Sequence, residues 1–113
     1  MHELTIATNV IELVTEKAEQ VNARLITEIE LEIGTLAGVL VDSLKFGFEV
    51  ATKNTLAENA ALIIQEIQGR GVCLDCRNVF LLTEVYSPCP ECDSYRVDVT
   101  QGKELRIKAF NYE

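Results

Sequence analysis

The chain has 113 residues, of which 48% are apolar, and its 18 acidic and 10 basic side chains give a formal net charge of −8. This length allows one compact domain with a real core plus a small lobe. Nucleic-acid binding requires a basic surface, so the acidic balance argues against it. The longest apolar run is far shorter than a membrane span and no secretory or transit segment is recognisable, so we expect a cytoplasmic protein without membrane contact.

The N-terminal tripeptide Met1-His2-Glu3 contains the only histidine of the chain. Its terminal amine and the amide and ring nitrogens of His2 can occupy three corners of a square. Glu3 can close the fourth corner through its amide nitrogen or its carboxylate. Such nitrogen-rich, square-planar sites suit Ni(II) or Cu(II), and they weaken in acid because the imidazole must be neutral to bind. The alternative is an ordinary solvated terminal histidine.

Two regular elements are predicted next. Apolar residues at spacings of three and four predict a helix over Leu4–Ala23. In Thr27–Ile33, isoleucine or leucine alternates with glutamate. This alternation predicts a strand with one buried face and one solvated, acidic face.

A second helix is expected after the glycine-framed loop 34–38. Asp42 or Ser43 is suited to cap its start, and the pattern continues to about Asn54. A strand follows over about Ala61–Gln68. Its residues Leu62-Ile63-Ile64 place apolar side chains on both faces, which indicates an inner strand of a sheet.

The most specific motif is a pair of Cys-x-x-Cys units with 12 residues between them. The four cysteines are Cys73, Cys76, Cys89 and Cys92. Two such knuckles can close a tetrahedral four-thiolate shell, which suits structural zinc. Short strands are expected at Val79–Thr83 and Arg96–Thr100, and the surrounding segment is poor enough in apolar side chains to need the metal for folding.

Two other uses of the cysteines remain open at this point. Two disulfides would require an oxidising compartment. A single iron held as in rubredoxins would give an electron carrier, and Cys89-Pro90-Glu91-Cys92 superficially matches a rubredoxin knuckle. Rubredoxins usually place glycine directly after each pair, whereas Arg77 and Asp93 stand there in this chain.

The last predicted strand covers Glu104–Phe110, and its basic residues would face the glutamates of the first strand if the two pair. The fold class is therefore α+β, with two helices packed on a small three-stranded sheet and an inserted four-cysteine, zinc-ribbon-like lobe. The predicted division is 1–68 plus 103–113 for the main domain and 69–102 for the lobe. The glycines at 69 and 71 are expected to form a hinge into the lobe.

A catalytic site is hard to assemble from these residues. With one histidine and all cysteines assigned to a metal, no Cys-His or Ser-His pair is available. A four-thiolate shell has no open position for water. We therefore expect a protein that is not an enzyme; binding and delivery of a metal ion, or a zinc-stabilised protein-protein adaptor, are the classes that remain beside electron transfer.

Several short motifs occur in an order that points to one family. They are Met1-His2-Glu3, Ile33-Gly34 followed by Leu36-Ala37-Gly38, the four cysteines, and Gln101-Gly102-Lys103-Glu104-Leu105-Arg106-Ile107. Over essentially its whole length the chain resembles the HypA/HybF family of hydrogenase nickel-incorporation proteins.

The resemblance implies a nickel metallochaperone for [NiFe]-hydrogenase maturation. His2 matches the family's nickel ligand and Glu3 its neighbour in the site, while the four cysteines match the ligands of its structural zinc. The implied partners are a HypB-type GTPase, the hydrogenase large subunit and, in some members, urease maturation proteins. Asp42 is a candidate counterpart of an acidic residue near the second helix of the family. Monomers and homodimers are both compatible with the sequence.

Overall fold

A computed structural model describes residues 2–113. Within this range the chain forms two helices and six strands. In chain order they are α1 (His2–Gln20), β1 (Ile26–Gly34), α2 (Val41–Ala51), β2 (Ala61–Ile67), β3 (Gly69–Cys73), β4 (Val79–Leu82), β5 (Val97–Gln101) and β6 (Leu105–Tyr112). The strands form two three-stranded sheets, and the mixture of helices and small sheets confirms the predicted α+β class.

Helix α1 follows the predicted apolar stripe. The side chains buried along it are Ala7, Ile11, Val14 and Ala18, each at most 4% exposed. The helix begins at His2, earlier than predicted, and ends at Gln20. It stops there because Asn22 adopts a left-handed φ of 58°, and the Ala23 N–H then donates to the Ala18 carbonyl at 2.9 Å.

Strand β1 is the central strand of the first sheet, whose order is β2-β1-β6. Its inward side chains Ile29, Leu31 and Ile33 are at most 2% exposed, as the alternation predicts. The prediction that residues 61–68 form an inner strand is wrong, because β2 lies at the sheet edge and Ile63 is 38% exposed. The inner position belongs to β1, since β6 returns along its other side.

The pairing of β6 with β1 brings basic and acidic side chains together, as predicted. Side-chain contacts across this pair include Arg106 Nε to Glu32 Oε1 at 2.5 Å, Lys108 Nζ to Glu30 Oε2 at 3.7 Å, and Asn111 Nδ2 to Glu28 Oε1 at 2.9 Å. The acidic face of β1 is therefore neutralised by its neighbour along the sheet.

Helix α2 starts without the predicted side-chain cap. Its N-cap residue is Leu40, and neither Asp42 nor Ser43 caps it, because both lie inside the helix. Leu44 and Phe48 supply its buried face. Helix α1 packs directly against Gly47, where an added Cβ would lie in van der Waals contact with the Ala7 Cβ at 3.4 Å.

The second sheet has the order β4-β3-β5, with both pairs antiparallel. The register places Val72 opposite Val79 and Cys73 opposite Val97. The end of β3 thus lies beside the starts of β4 and β5. This arrangement brings the two cysteine pairs to one end of the sheet.

The described chain divides into two compact units. The first comprises residues 2–31, Val39–Ile64 and Ile107–Glu113, and the second comprises Glu32–Gly38 and Gln65–Arg106. All four cysteines belong to the second unit. The predicted lobe, residues 69–102, is shorter than this second unit, and its role as a separate functional domain stays a prediction.

Gly34, Gly69 and Gly102 of the second unit lie where neighbouring backbone leaves no room for a side chain. A Cβ at Gly34 would lie 1.8 Å from the Gly102 carbonyl oxygen, one at Gly69 would lie 2.5 Å from the Leu82 carbonyl oxygen, and one at Gly102 would lie 2.5 Å from the Gly69 Cα. The Leu36 N–H donates to the same Gly102 carbonyl at 2.7 Å. The predicted hinge at residues 69–71 is therefore part of β3, and its first glycine serves close backbone packing.

Candidate metal centres

Each cysteine pair sits on a tight turn with the same hydrogen-bond pattern. In the first, the Arg77 N–H donates to the Cys73 carbonyl at 2.9 Å and the Cys73 N–H to the Asn78 carbonyl at 2.8 Å. The second repeats these bonds through Asp93, Cys89 and Ser94 at 2.9 and 2.8 Å.

The residue after each pair must adopt left-handed backbone for the turn to close. Arg77 has a φ of 67° and Asp93 a φ of 61°. The first cysteine of each pair, Cys73 or Cys89, is fully buried, while the second, Cys76 or Cys92, is exposed. Each turn therefore contributes one buried and one exposed cysteine to the cluster.

The four sulfur atoms have a spacing that fits one tetrahedral ion. Cys73 Sγ lies 3.5 Å from Cys92 Sγ and Cys76 Sγ lies 3.6 Å from Cys89 Sγ, and all four atoms lie within 4.8 Å of one another. Zinc–sulfur bonds of about 2.3 Å in a tetrahedron imply edges of about 3.8 Å. All four cysteines are free thiols, so the disulfide alternative is wrong for this structure.

The protonation of the cysteines shows why the cluster suits a cation. The Cys76 N–H, pointing at the Cys73 sulfur, lowers the pKa of Cys73 to about 7. The Ser94 N–H stabilises the Cys92 thiolate, but the neighbouring Cys73 sulfur and burial outweigh it and raise the pKa of Cys92 to about 12. Four sulfurs without a cation cannot all ionise together, so metal binding by this cluster is coupled to proton release.

His2 and Glu3, the other predicted metal-binding residues, lie in the first turn of α1. The His2 side chain is 61% exposed, and its Nε2 lies 3.5 Å from Glu3 Oε2. Glu3 is only 5% exposed. The terminal amine of Met1, which completes the predicted chelate, lies outside the described residues.

The buried carboxylate of Glu3 has a partner that sequence reasoning missed. Glu3 Oε2 accepts a hydrogen bond from the Leu40 N–H, the N-cap of α2, at 3.1 Å. This bond, together with the N–H of Glu3 itself, lowers the pKa of Glu3 to about 2. No sequence signal connects the two residues, since they lie 37 positions apart.

Beside Glu3 an open groove of about 630 Å³ runs along α2. Its exposed apolar lining includes Leu4, Leu40, Phe46 and Val50. Asp42, the candidate counterpart of the family's acidic residue, lines the same groove. Asp42 is exposed and lies in the first turn of α2.

Within residues 2–113, the four cysteines are the only group of three or more metal-ligating side chains that converge on one point. In the same range, no helix is long and apolar enough to cross a membrane. The chemistry of the described side chains is therefore concentrated in the cysteine cluster and the start of α1.

Comparison with known proteins gives a consistent result. A family model described as "Hydrogenase/urease nickel incorporation, metallochaperone, hypA" matches residues 1–112. The hydrogenase maturation factor HypA of Parabacteroides distasonis is 45% identical over 110 residues, covering 97% of this chain and 96% of that protein. The HypA of Chlorobaculum tepidum is 45% identical over 113 residues, covering both chains completely.

Solved structures agree with these relatives. The solution structure of the Ni metallochaperone HypA from Helicobacter pylori matches with a TM-score of 0.69 and 28% identity, covering 99% of this chain and 97% of that one. A second solution structure of a HypA protein matches with a TM-score of 0.72 and 27% identity, covering 100% and 97%. The chain therefore belongs to the HypA family of nickel-incorporation metallochaperones, which serves hydrogenase and urease maturation.

Proposed function

We propose that this chain binds Ni(II) as cargo at its N-terminus and delivers it during [NiFe]-hydrogenase maturation. The ligands are the amine of Met1, the amide and ring nitrogens of His2, and Glu3. The observation that carries the proposal is the family match over residues 1–112, which includes this tripeptide. A solvent-exposed site with few ligands suits an ion that must later be released.

The local geometry supports a nitrogen-rich site. The His2 N–H lies in the first turn of α1, where N–H groups have no intrahelical acceptor, so its amide nitrogen is suited to bind a metal after deprotonation. The Glu3 carboxylate already accepts the Leu40 N–H and is also stabilised by the N–H of Glu3 itself. Either the amide nitrogen or the carboxylate of Glu3 can supply the fourth ligand, and the carboxylate also anchors the start of α1.

We further propose that the cysteine cluster holds a structural zinc ion. The spacing of the four sulfurs fits a closed tetrahedral shell, and such a shell has no position for a reacting water. The zinc would stabilise residues 69–102 and supply no catalysis. Residues 1–68 plus 103–113 would form the nickel-binding domain.

The partners follow from the family. A HypB-type GTPase, the hydrogenase large subunit and urease maturation proteins are the proposed partners, in the cytoplasm. The net charge of −8 favours partners with basic surfaces and disfavours nucleic acid. The proposed function is compatible with either a monomer or a homodimer.

A calorimetric Ni(II) titration of the zinc-loaded protein with its native N-terminus tests the proposal. We expect one tight site in the native chain and its loss in His2→Ala, with one zinc per chain in both. A matched control adds Gly-Ser before Met1, which keeps His2 but removes the amine from the chelate, and should also abolish tight binding.

The outcomes of this titration are distinct. Equal nickel uptake by the native chain and His2→Ala would overturn the N-terminal site. Absence of tight uptake by either would favour a zinc-stabilised adaptor. Metal analysis of the purified protein separately identifies the ion bound by the cysteine cluster. Iron in place of zinc would give a coloured protein and support an electron carrier.

A further inference from the structure

The two cysteine turns are joined through the carboxylate of Asp75, which lies inside the first Cys-x-x-Cys unit. Its Oδ2 accepts a hydrogen bond from the Ser94 hydroxyl, and its Oδ1 accepts one from Arg96 Nη1. Both donors follow the second cysteine pair in the chain. We call these three side chains the clasp.

Backbone bonds extend the clasp to the sulfurs. The Ser94 carbonyl accepts the Cys89 N–H at 2.8 Å, the bond that closes the second cysteine turn. A residue held by Asp75 thus closes the turn that carries Cys89 and Cys92.

The first turn is tied to the same residues. The Leu74 N–H donates to the Arg96 carbonyl at 2.8 Å, and the Arg96 N–H donates to the Ser94 hydroxyl at 3.1 Å. The Asp75 carboxylate therefore links the first cysteine turn to the residues that follow the second cysteine pair. Groups outside a metal's shell that orient its ligands typically raise metal affinity about 10- to 100-fold.

We propose that Asp75 is a positioning residue for the bound metal: through Ser94 and Arg96 it holds the two cysteine turns together and slows metal release. The proposal depends on the cysteine cluster and goes beyond the proposed function, since it does not involve the nickel site. An exposed ion pair alone would have little effect. The clasp differs because one carboxylate accepts a charged and a neutral donor that both follow the second cysteine pair.

The test compares Asp75→Asn with Asp98→Asn in the full chain. Asp98 is an exposed acid on β5, so its variant has the same charge change without disturbing the clasp. We expect zinc transfer to an excess of a coloured chelator to be about tenfold faster in Asp75→Asn, equivalent to about 1.4 kcal/mol. Asp98→Asn should release zinc at the wild-type rate.

A double-mutant cycle separates the clasp from general destabilisation. If Asp75 acts through Arg96, Asp75→Asn combined with Arg96→Gln should release zinc no faster than the faster single variant. Cobalt-substituted protein gives a second readout, because its visible bands report ligand geometry. These bands should shift or broaden in Asp75→Asn at saturating cobalt and stay unchanged in Asp98→Asn.

Two results would overturn the proposal. One is a wild-type release rate in Asp75→Asn, and the other is full additivity of the two single variants with unchanged cobalt bands. If Asp75→Asn does not fold at saturating zinc, Ser94→Ala takes its place, since it removes the hydroxyl donor and leaves every charge intact. Unchanged release in that variant would equally contradict the clasp.

Discussion

Glu3 occupies a position where a carboxylate has a structural partner as well as a proposed metal-binding neighbour. Its oxygen accepts the Leu40 N–H, and the ionised form is stabilised so that its pKa lies near 2. Because the folded pKa is lower than the ordinary value of 4.5, ionised Glu3 stabilises the fold at neutral pH. This contribution is lost as pH falls from about 4.5 toward 2.

We therefore expect Glu3→Gln to be less stable than the native chain at neutral pH. The difference should shrink as pH falls below about 4.5 and vanish below about pH 2, where the native residue is protonated as well. Urea midpoints measured by far-ultraviolet circular dichroism across this range check the expectation.

Glu12→Gln is the matched control for this comparison, because it removes the same charge from an exposed position of α1. Its midpoint should follow that of the native chain at every pH. If the urea midpoint of Glu3→Gln were lowered by the same amount at every pH, the loss of stability would come from the changed side chain and not from its charge.

The cysteines and Glu3 show what sequence could and could not predict at this scale. Spacing alone identified all four members of the cysteine cluster, because a Cys-x-x-Cys turn is a local structure. The partner of Glu3 depends on how α1 packs against the start of α2. For the same reason the predicted caps at Asp42 and Ser43 were wrong: Leu40 occupies the N-cap and its N–H bonds to a distant carboxylate.

At the level of elements, the contacts between β1 and β6 are unequal. Arg106 meets Glu32 at 2.5 Å, and the Glu32 side chain is only 17% exposed. Lys108 lies 3.7 Å from Glu30, whose side chain is slightly more exposed than that of Glu32 at 22% against 17%, while Lys108 is less exposed than Arg106. The first pair should contribute more to stability, because its N–O distance is that of a charge-assisted hydrogen bond and the second pair is longer than one.

Double-mutant cycles should resolve this difference. For Glu32→Gln with Arg106→Gln we expect a coupling energy of about 1 kcal/mol, reduced by added salt. For Glu30→Gln with Lys108→Gln we expect about 0.3 kcal/mol or less. Free energies of unfolding from urea titrations give both values, and a larger coupling for the second pair would contradict the ranking.

The close backbone contact at Gly34 leads to a second prediction for the elements. Gly34→Ala places a Cβ 1.8 Å from the Gly102 carbonyl oxygen, and backbone atoms cannot move aside as a flexible side chain can. We expect a loss of more than about 4 kcal/mol or failure to fold. Equilibrium unfolding in urea measures the loss.

Gly38→Ala is the control for that substitution. Gly38 has a φ of 74° with open space around its Cβ position, so alanine there meets backbone strain alone. Its expected cost is about 1–2 kcal/mol. Equal costs at the two positions would mean that the contact with Gly102 relaxes freely.

Element type was more predictable than element position. The periodicity that predicted α1 and β1 follows from local burial, and both elements are present. Strand order depends on which segments meet after folding, so the apolar run in β2 was placed inside the sheet although it lies at an edge. Glycine was expected to mark a hinge at residues 69–71, but its role in β3 is close packing.

Across the whole molecule, the two units differ sharply in how much apolar surface they bury. In the first unit ten apolar side chains are buried, among them Ile11, Leu31, Leu44 and Phe48. In the second, apart from two cysteines, only Ile33 and Leu82 belong to the buried apolar set. So small a core cannot fold a segment of this length without further stabilisation.

Metal removal should therefore affect the two units differently. With the cysteine cluster stripped by a chelator at neutral pH, we expect amide protons of β3, β4 and β5 to exchange with solvent much faster, because structural zinc contributes about 10–16 kcal/mol. Amides of α1 and α2 should keep most of their protection. Hydrogen exchange read residue by residue makes the comparison.

Adding zinc back to the stripped protein is the control, and it should restore protection of the three strands. Magnesium at the same concentration should not, because thiolates bind it poorly. Unchanged exchange in the stripped strands would show that the second unit holds together without a metal.

The strand order β2-β1-β6 also bears on how the protein is made. During synthesis α1, β1, α2 and β2 leave the ribosome first, so the first half of the sheet can assemble while β6 has yet to be translated. The edge of β1 that pairs with β6 stays uncovered until the cysteine segment has emerged and β6 follows it. Until then the glutamates on the solvated face of β1 lack their basic partners from β6, and their charge discourages pairing of the open edge with other copies of the chain.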